Sequence, residues 1–146
     1  ECAGNLFITV LSPNKQDARR SSNSASIVLL IESNNRRAVF TGDIDEKKIQ
    51  VLTNTIPKDT DILELPHHGQ WSKESQALVD LIKPLAILQS TSGARHANDI
   101  WLIPNKTSRF VTAIDGTITT NIYSDGTVSI TGDKDPVTMP PCLSQK

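Results

Sequence analysis

The chain has 146 residues and a mass of 16.0 kDa, which is room for one domain and hardly for two. A hydrophobic share of 37% and a charged share of 21% suit a folded, soluble domain and exclude whole-chain disorder, because apolar runs such as Ser26–Ile31 need burial. The net charge of −1 gives no electrostatic case for nucleic acid, and no run approaches the roughly 18 apolar residues of a membrane span.

Glu1-Cys2-Ala3-Gly4 has neither the basic nor the long apolar region of a secretory leader. Cys2 and Cys142 lie almost at opposite ends, a spacing that makes no zinc motif and leaves free thiols or a terminal disulfide open. In chain order, Leu6–Leu11 is β-rich and stops at Ser12-Pro13. Ser12–Ser26 is polar and reads as a long loop. Ile27–Ile31 is an unbroken apolar run, the pattern of a strand covered on both faces. Asn34-Asn35 predicts a hairpin turn into a returning strand, Ala38-Val39-Phe40, which ends at Thr41-Gly42-Asp43.

A helix follows, with Asp45 as its cap and Ile44 and Ile49 at the two positions of a hydrophobic staple. It closes before Pro57. Asp61–Leu65 is a short strand running into Pro66-His67-His68-Gly69. Ser72 caps a second helix with an expected stripe of Ala77, Leu78, Leu81 and Ile82, ended by Pro84. Leu85–Leu88 is another strand. Phe110–Ile130 predicts two or three antiparallel strands with turns at Asp115-Gly116 and Asp125-Gly126. The class is α/β, at its boundary with α+β: a mixed sheet with helices on one face. Residues 1–132 are expected to form the domain, and 133–146, with Pro136, Pro140 and Pro141, an irregular tail.

Two places set polar groups at the end of an apolar strand, where such sheets carry their sites. At Thr41-Gly42-Asp43, Gly42 lets the chain turn sharply and presents a carboxylate. At Pro66-His67-His68-Gly69, two imidazoles follow a strand directly. Asp and His are metal ligands, and a carboxylate can bridge two metals in a hydrolytic site. Alone, Gly42-Asp43 reads as turn chemistry and His67-His68 equally well as an exposed turn; together, on successive strand ends with a helix between them, they point to one site. His96 sits in an apparent loop, Gly93–Asn98, as a solvated residue or a substrate contact.

These segments, Ser24–Leu29, Val39–Asp43 and Asp61–Gly69, resemble the C-terminal half of a metallo-β-lactamase-fold domain, the αββα sandwich. The closest flavour is the soluble domain of ComEC-type DNA-internalisation competence proteins and their stand-alone bacterial relatives. Pro84–Ser90 looks like that family's next strand, and Thr112–Ile118 like an altered form of its T-D-x-x-G-x-I signature. The resemblance spans roughly Leu6 to Ile130. It implies Asp43 as a metal-bridging carboxylate, His67 or His68 as a late metal ligand, and Gly69 as the tight turn beside the site. It implies a divalent metal, zinc or manganese, in a completed site, and a phosphodiester in nucleic acid as substrate. Arg19, Arg20, Arg36 and Arg37 are candidate local phosphate contacts or simply a solvated surface.

The chain departs from that pattern. The family's N-terminal H-x-H-x-D-H motif is absent, since there are only three histidines; Gln70 stands for the usual Ser, and His96-Ala97 for a His-Pro turn. Two or three ligands do not satisfy a tetrahedral zinc, so the isolated chain is expected to be inactive. The expected partner is a complementary N-terminal half or, by homodimerisation, a second copy, seated on an exposed sheet face. The alternative function is a non-catalytic binding or oligomerisation module. A third, a small extracellular domain stapled by Cys2 and Cys142, explains neither strand-end motif. The resemblance permits both the bacterial cytoplasm and an extracytoplasmic domain of a membrane protein.

Overall fold

The structure, a computed structural model, describes residues 6–15, 17 and 23–134. Cys2, Cys142, Arg19, Arg20 and the tail beyond Lys134 lie outside the described residues. Six strands form one mixed sheet in sequence order: β1 (Leu6–Ser12), β2 (Val28–Ser33), β3 (Arg36–Phe40), β4 (Ile62–Glu64), β5 (Ala86–Gln89) and β6 (Ser108–Val111). The first three run antiparallel, and β3 through β6 run parallel. A separate antiparallel hairpin, β7 (Ile118–Ile122) and β8 (Val128–Gly132), follows. The α/β reading with a mixed sheet therefore holds.

Local chemistry accounts for the elements. Asn34 and Asn35 both adopt positive φ, 50° and 62°, the backbone a two-residue hairpin turn needs to match strand twist. The first helix, α1 (Glu46–Leu52), is capped by the Asp45 side chain accepting from the Lys48 amide, and Ile44 and Ile49 join the same buried cluster as a staple would. The second, α2 (Lys73–Ile82), is capped by Ser72 accepting from the Ser75 amide. Both helices pack on one face of the sheet, over Val28, Leu30, Val39, Leu63 and Ile87. On the other face Val128 and Ile130 of the hairpin cover Ala38, Ile62, Ala86 and Phe110.

Four expectations are corrected. The strand at 27–31 is not covered on both faces: Val28 and Leu30 are buried under the helices, Leu29 and Ile31 only half-buried, and Ile27 is exposed, because Leu29 and Ile31 lie on the other face, opposite Val10 and Ile8 of the exposed edge strand. The buried stripe of α2 is Leu78, Val79 and Ile82, with Ala77 and Leu81 facing out. The helix is rotated because Gln76 turns inward, where its amide exchanges two hydrogen bonds with the Leu102 backbone at 2.8 and 3.0 Å. Of the strands after Phe110, the first is β6, which runs parallel to β5 inside the main sheet, since backbone pairing and not turn chemistry sets direction. Gly93–His96, read as loop, is a short helix, α3. A fourth, α4 (Thr112–Asp115), links β6 to the hairpin.

Strand β1 is the edge of the sheet. Its register sets Ile8 opposite Ile31 and Val10 opposite Leu29, so Leu6, Ile8 and Val10 form an apolar ladder on the hairpin side of the sheet. All three are about 60% exposed, at 59%, 60% and 59%. Among the described residues, no helix is long and apolar enough to cross a membrane.

Candidate functional site

The two strand-end motifs meet. Strands β3 and β4 are parallel neighbours, so Thr41-Gly42-Asp43 and Pro66-His67-His68-Gly69 leave the sheet side by side at the same edge. The His67 amide donates to the Gly42 carbonyl at 2.9 Å, joining the turns directly. Gly42 has φ +57°, and a Cβ there would sit 3.1 Å from the Ile27 carbonyl, so glycine suits both the backbone and the space.

Glu64, at the end of β4, holds the first turn in place. Its Oε2 accepts from the amides of Thr41 and Gly42 at 3.0 and 3.2 Å, and its carbonyl accepts from the Thr41 hydroxyl at 3.0 Å. Sequence reasoning missed this residue. The only signal was a carboxylate inside a short apolar strand, Asp61–Leu65, where one does not belong without partners.

The second turn carries unusual backbone. His67, His68 and Gly69 are consecutive left-handed residues, with φ of 52°, 58° and 75°. The two non-glycine residues store of order 1–3 kcal/mol each in that conformation, which persists only where the surroundings enforce it. Here they do. The His67 carbonyl accepts from Arg95 Nη1 at 3.2 Å, the His68 carbonyl from Gln89 Nε2 at 3.5 Å, and the Gly69 carbonyl from the buried Trp101 indole at 2.8 Å. Gln89, fully buried at the end of β5, is oriented by Arg109, whose guanidinium donates twice to its Oε1. Arg109 is paired in turn with Asp99, which His96 Nδ1 approaches at 3.1 Å. Burial pushes the Asp99 carboxyl up, but Arg109 and His96 beside it outweigh that and hold it below its ordinary value.

This geometry separates the two histidines that the sequence left equivalent. His68 Nε2 lies 3.5 Å from Asp43 Oδ1, and the two side chains are half exposed, at 53% and 48%. The other ring nitrogen, Nδ1, is 3.2 Å from the Ser90 carbonyl. A carbonyl only accepts, so Nδ1 carries a proton, and Nε2 is the ring nitrogen on the Asp43 side that a metal would take. His67 points elsewhere, into a cavity with Ile44, Asp45 and Ser72 beside α1. His96 is turned toward Asp99 and does not line the Asp43 cleft.

The Asp43 cleft has a volume of about 380 Å³ and is lined by Gly42, Asp43, Glu64, His68, Ser90 and neighbours in the segment before β2. Two ligand atoms on one tetrahedral zinc, at about 2.0–2.2 Å from the metal, lie roughly 3.3–3.5 Å apart. The Asp43–His68 separation of 3.5 Å fits that spacing. Among the described residues, no group of three or more His, Cys, Asp or Glu side chains is placed to hold a metal ion, so this pair is what the described chain offers.

Arg36 and Arg37 sit at the other end of β3, about six residues or roughly 20 Å of strand from Asp43. Arg36 is paired with Asp61, and Arg37 with Glu32 and Asp59. They line a cavity of about 730 Å³ that none of the histidines reaches. The structure does not bring them to the site.

The chain is similar to two bacterial proteins. It is 27% identical over 126 residues to Recombination protein 2 of Haemophilus influenzae, a match covering 82% of this chain and 16% of that protein. It is 29% identical over 93 residues to ComE operon protein 3 of Bacillus subtilis, covering 62% of this chain and 12% of that one. The chain thus spans less than a fifth of the length of these curated relatives. No family model matches it.

Proposed function

We propose that this chain is part of a metal-dependent hydrolase of the metallo-β-lactamase fold, directed at phosphodiester bonds in nucleic acid. Asp43 and His68 are its contribution to the metal site. One observation carries the reading: a carboxylate and an imidazole Nε2 3.5 Å apart at parallel strand ends, with the other ring nitrogen taken up by the Ser90 carbonyl. A bound divalent cation, zinc or manganese, supplies an activated water and stabilises developing charge. The chain's own residues hold and orient: Glu64 fixes the Asp43 turn, and Gln89, Trp101 and Arg95 fix the His68 turn.

Residues 1–132 are read as a half-domain and 133–146 as its tail. The missing ligands come from a complementary N-terminal half with an H-x-H-x-D-H motif, seated over the ladder of Leu6, Ile8 and Val10. The names of the two relatives and the ComEC-type resemblance support nucleic acid as the substrate, in DNA uptake by a bacterium. The test is phosphodiesterase activity on single-stranded DNA, measured on the chain joined to or co-purified with that half. Asp43→Ala and His68→Ala are expected to abolish activity, and His67→Ala to retain most of it. Activity indifferent to both of the first two would overturn the reading.

The exposed ladder also favours a second reading, a non-catalytic module whose interface is its function, including a homodimer through β1. In that case Asp43→Ala leaves association unchanged, Ile8→Lys abolishes it, and the completed complex cleaves nothing.

A further inference from the structure

A second cavity, of about 300 Å³, adjoins the Asp43 cleft and shares His68 and Ser90 with it. Its other walls are Thr91, Ser92, Arg95 and Thr112. The two cavities differ in charge. The first contains two carboxylates, Asp43 and Glu64; the second contains none, and its one formal charge is the Arg95 guanidinium. A cation is favoured on one side of His68 and an anion on the other.

Arg95 is distinguished by what it lacks. Arg36, Arg37 and Arg109 are each paired with a carboxylate. Among the described residues, Arg95 is the arginine with no acidic partner; its guanidinium donates only to the neutral His67 carbonyl, at 3.2 Å. That bond seats the charge against the outer edge of the His67-His68-Gly69 turn. Two of the hydroxyls are spoken for or inaccessible. Thr112 Oγ1 accepts from the Thr91 amide and donates to the Thr91 carbonyl, which fixes the Ser90–Ser92 loop, and Thr91 Oγ1 is buried without a partner. Ser92 Oγ only accepts, from the Arg95 amide at 3.4 Å, so its proton is free to be donated, and Ser90 is exposed at the shared rim.

We propose that this cavity is an oxyanion subsite, in which Arg95, with the hydroxyls of Ser90 and Ser92, binds a phosphodiester beside the Asp43–His68 pair. A guanidinium fork and hydroxyl donors match the geometry of phosphate oxygens, and the volume is at the low end of the roughly 300–1,000 Å³ typical of small-ligand sites. The identity of the anion rests on the proposed phosphodiester function; the anion preference rests on the cavity alone.

The test is an amide-shift NMR titration of the 146-residue chain in chelator, with the dinucleotide thymidylyl-thymidine as probe. Shifts are expected at His68 and Ser90–Arg95. Arg95→Ala is expected to raise the dissociation constant about tenfold, with Arg95→Lys in between and the uncharged methylphosphonate dinucleotide inert. Equal binding by Arg95→Ala, equal binding of the methylphosphonate, or shifts confined to other surfaces would overturn the proposal. Binding of inorganic phosphate but not of the dinucleotide would overturn the diester assignment. The titration is run in chelator and needs no metal, so loss of the metal reading and loss of this subsite are read out separately.

Discussion

Replacing Gly69 by alanine tests how the histidine turn is held. Gly69 has φ +75°, and a Cβ there would lie 2.2 Å from Gln89 Nε2, 2.5 Å from its Cδ and 2.7 Å from its Cγ. The left-handed backbone costs alanine about 1–2 kcal/mol. Displacing the buried Gln89 amide breaks its contacts with the His68 carbonyl and Arg109, about 1–3 kcal/mol more. The sum is about 2–5 kcal/mol, and at roughly 3–5 °C per kcal/mol for a domain of this size it lowers Tm by roughly 6–25 °C. Urea and thermal denaturation of Gly69→Ala, Gln89→Ala and the double variant form a cycle. Because Gln89→Ala removes the atoms that clash, the double variant is expected to be about 1–3 kcal/mol more stable than the sum of the singles predicts. Additivity within about 0.5 kcal/mol would refute the claim that Gln89 is what Gly69 makes room for.

Asp99 gives a pH prediction. Its folded carboxyl is held below the ordinary 3.8, so its contribution is present above that value and is lost as pH falls through the folded value. Asp99→Asn is expected to lower stability at neutral pH and to flatten the acid limb below about 3.8, read from denaturation midpoints across pH. The ion pair of Lys48 Nζ and Asp17 Oδ1, at 2.6 Å with both side chains almost fully buried, ties the segment before β2 to α1. Lys48→Ala is expected to cost about 3–5 kcal/mol by stranding a buried charge, and Lys48→Met with Asp17→Leu much less. Equal losses in urea melts would contradict that account. In the completed complex, His68→Ala is expected to lose metal, measured by elemental analysis, and His67→Ala to keep it.

Much of this fold was legible because its signals are local. Asp45 and Ser72 cap their helices, and Asn34-Asn35 turns the hairpin, through bonds and dihedrals a few residues long. Gly42 and Gly69 stand at positive φ beside the polar groups that drew attention to them. What escaped depends on neighbours far along the chain. Glu64 reaches back 23 residues to Thr41, and Trp101 reaches 32 residues to Gly69. The direction of β6 is set by its pairing with β5, and the phase of α2 by the Gln76 side-chain amide bonding the Leu102 backbone. The choice between His67 and His68 needed the positive-φ turn, which sends adjacent side chains to different cavities. Gln89 could have been noticed as an amide in a core strand, a position that calls for a buried partner.

The central claim is that Asp43 and His68 are two ligands of a metal site completed by another segment. Native mass spectrometry with elemental analysis, on protein purified without chelator, tests it most directly. The account predicts stoichiometric zinc or manganese in a complex with a second polypeptide segment, and its loss in His68→Ala. A metal-free homodimer unaffected by His68→Ala would contradict it.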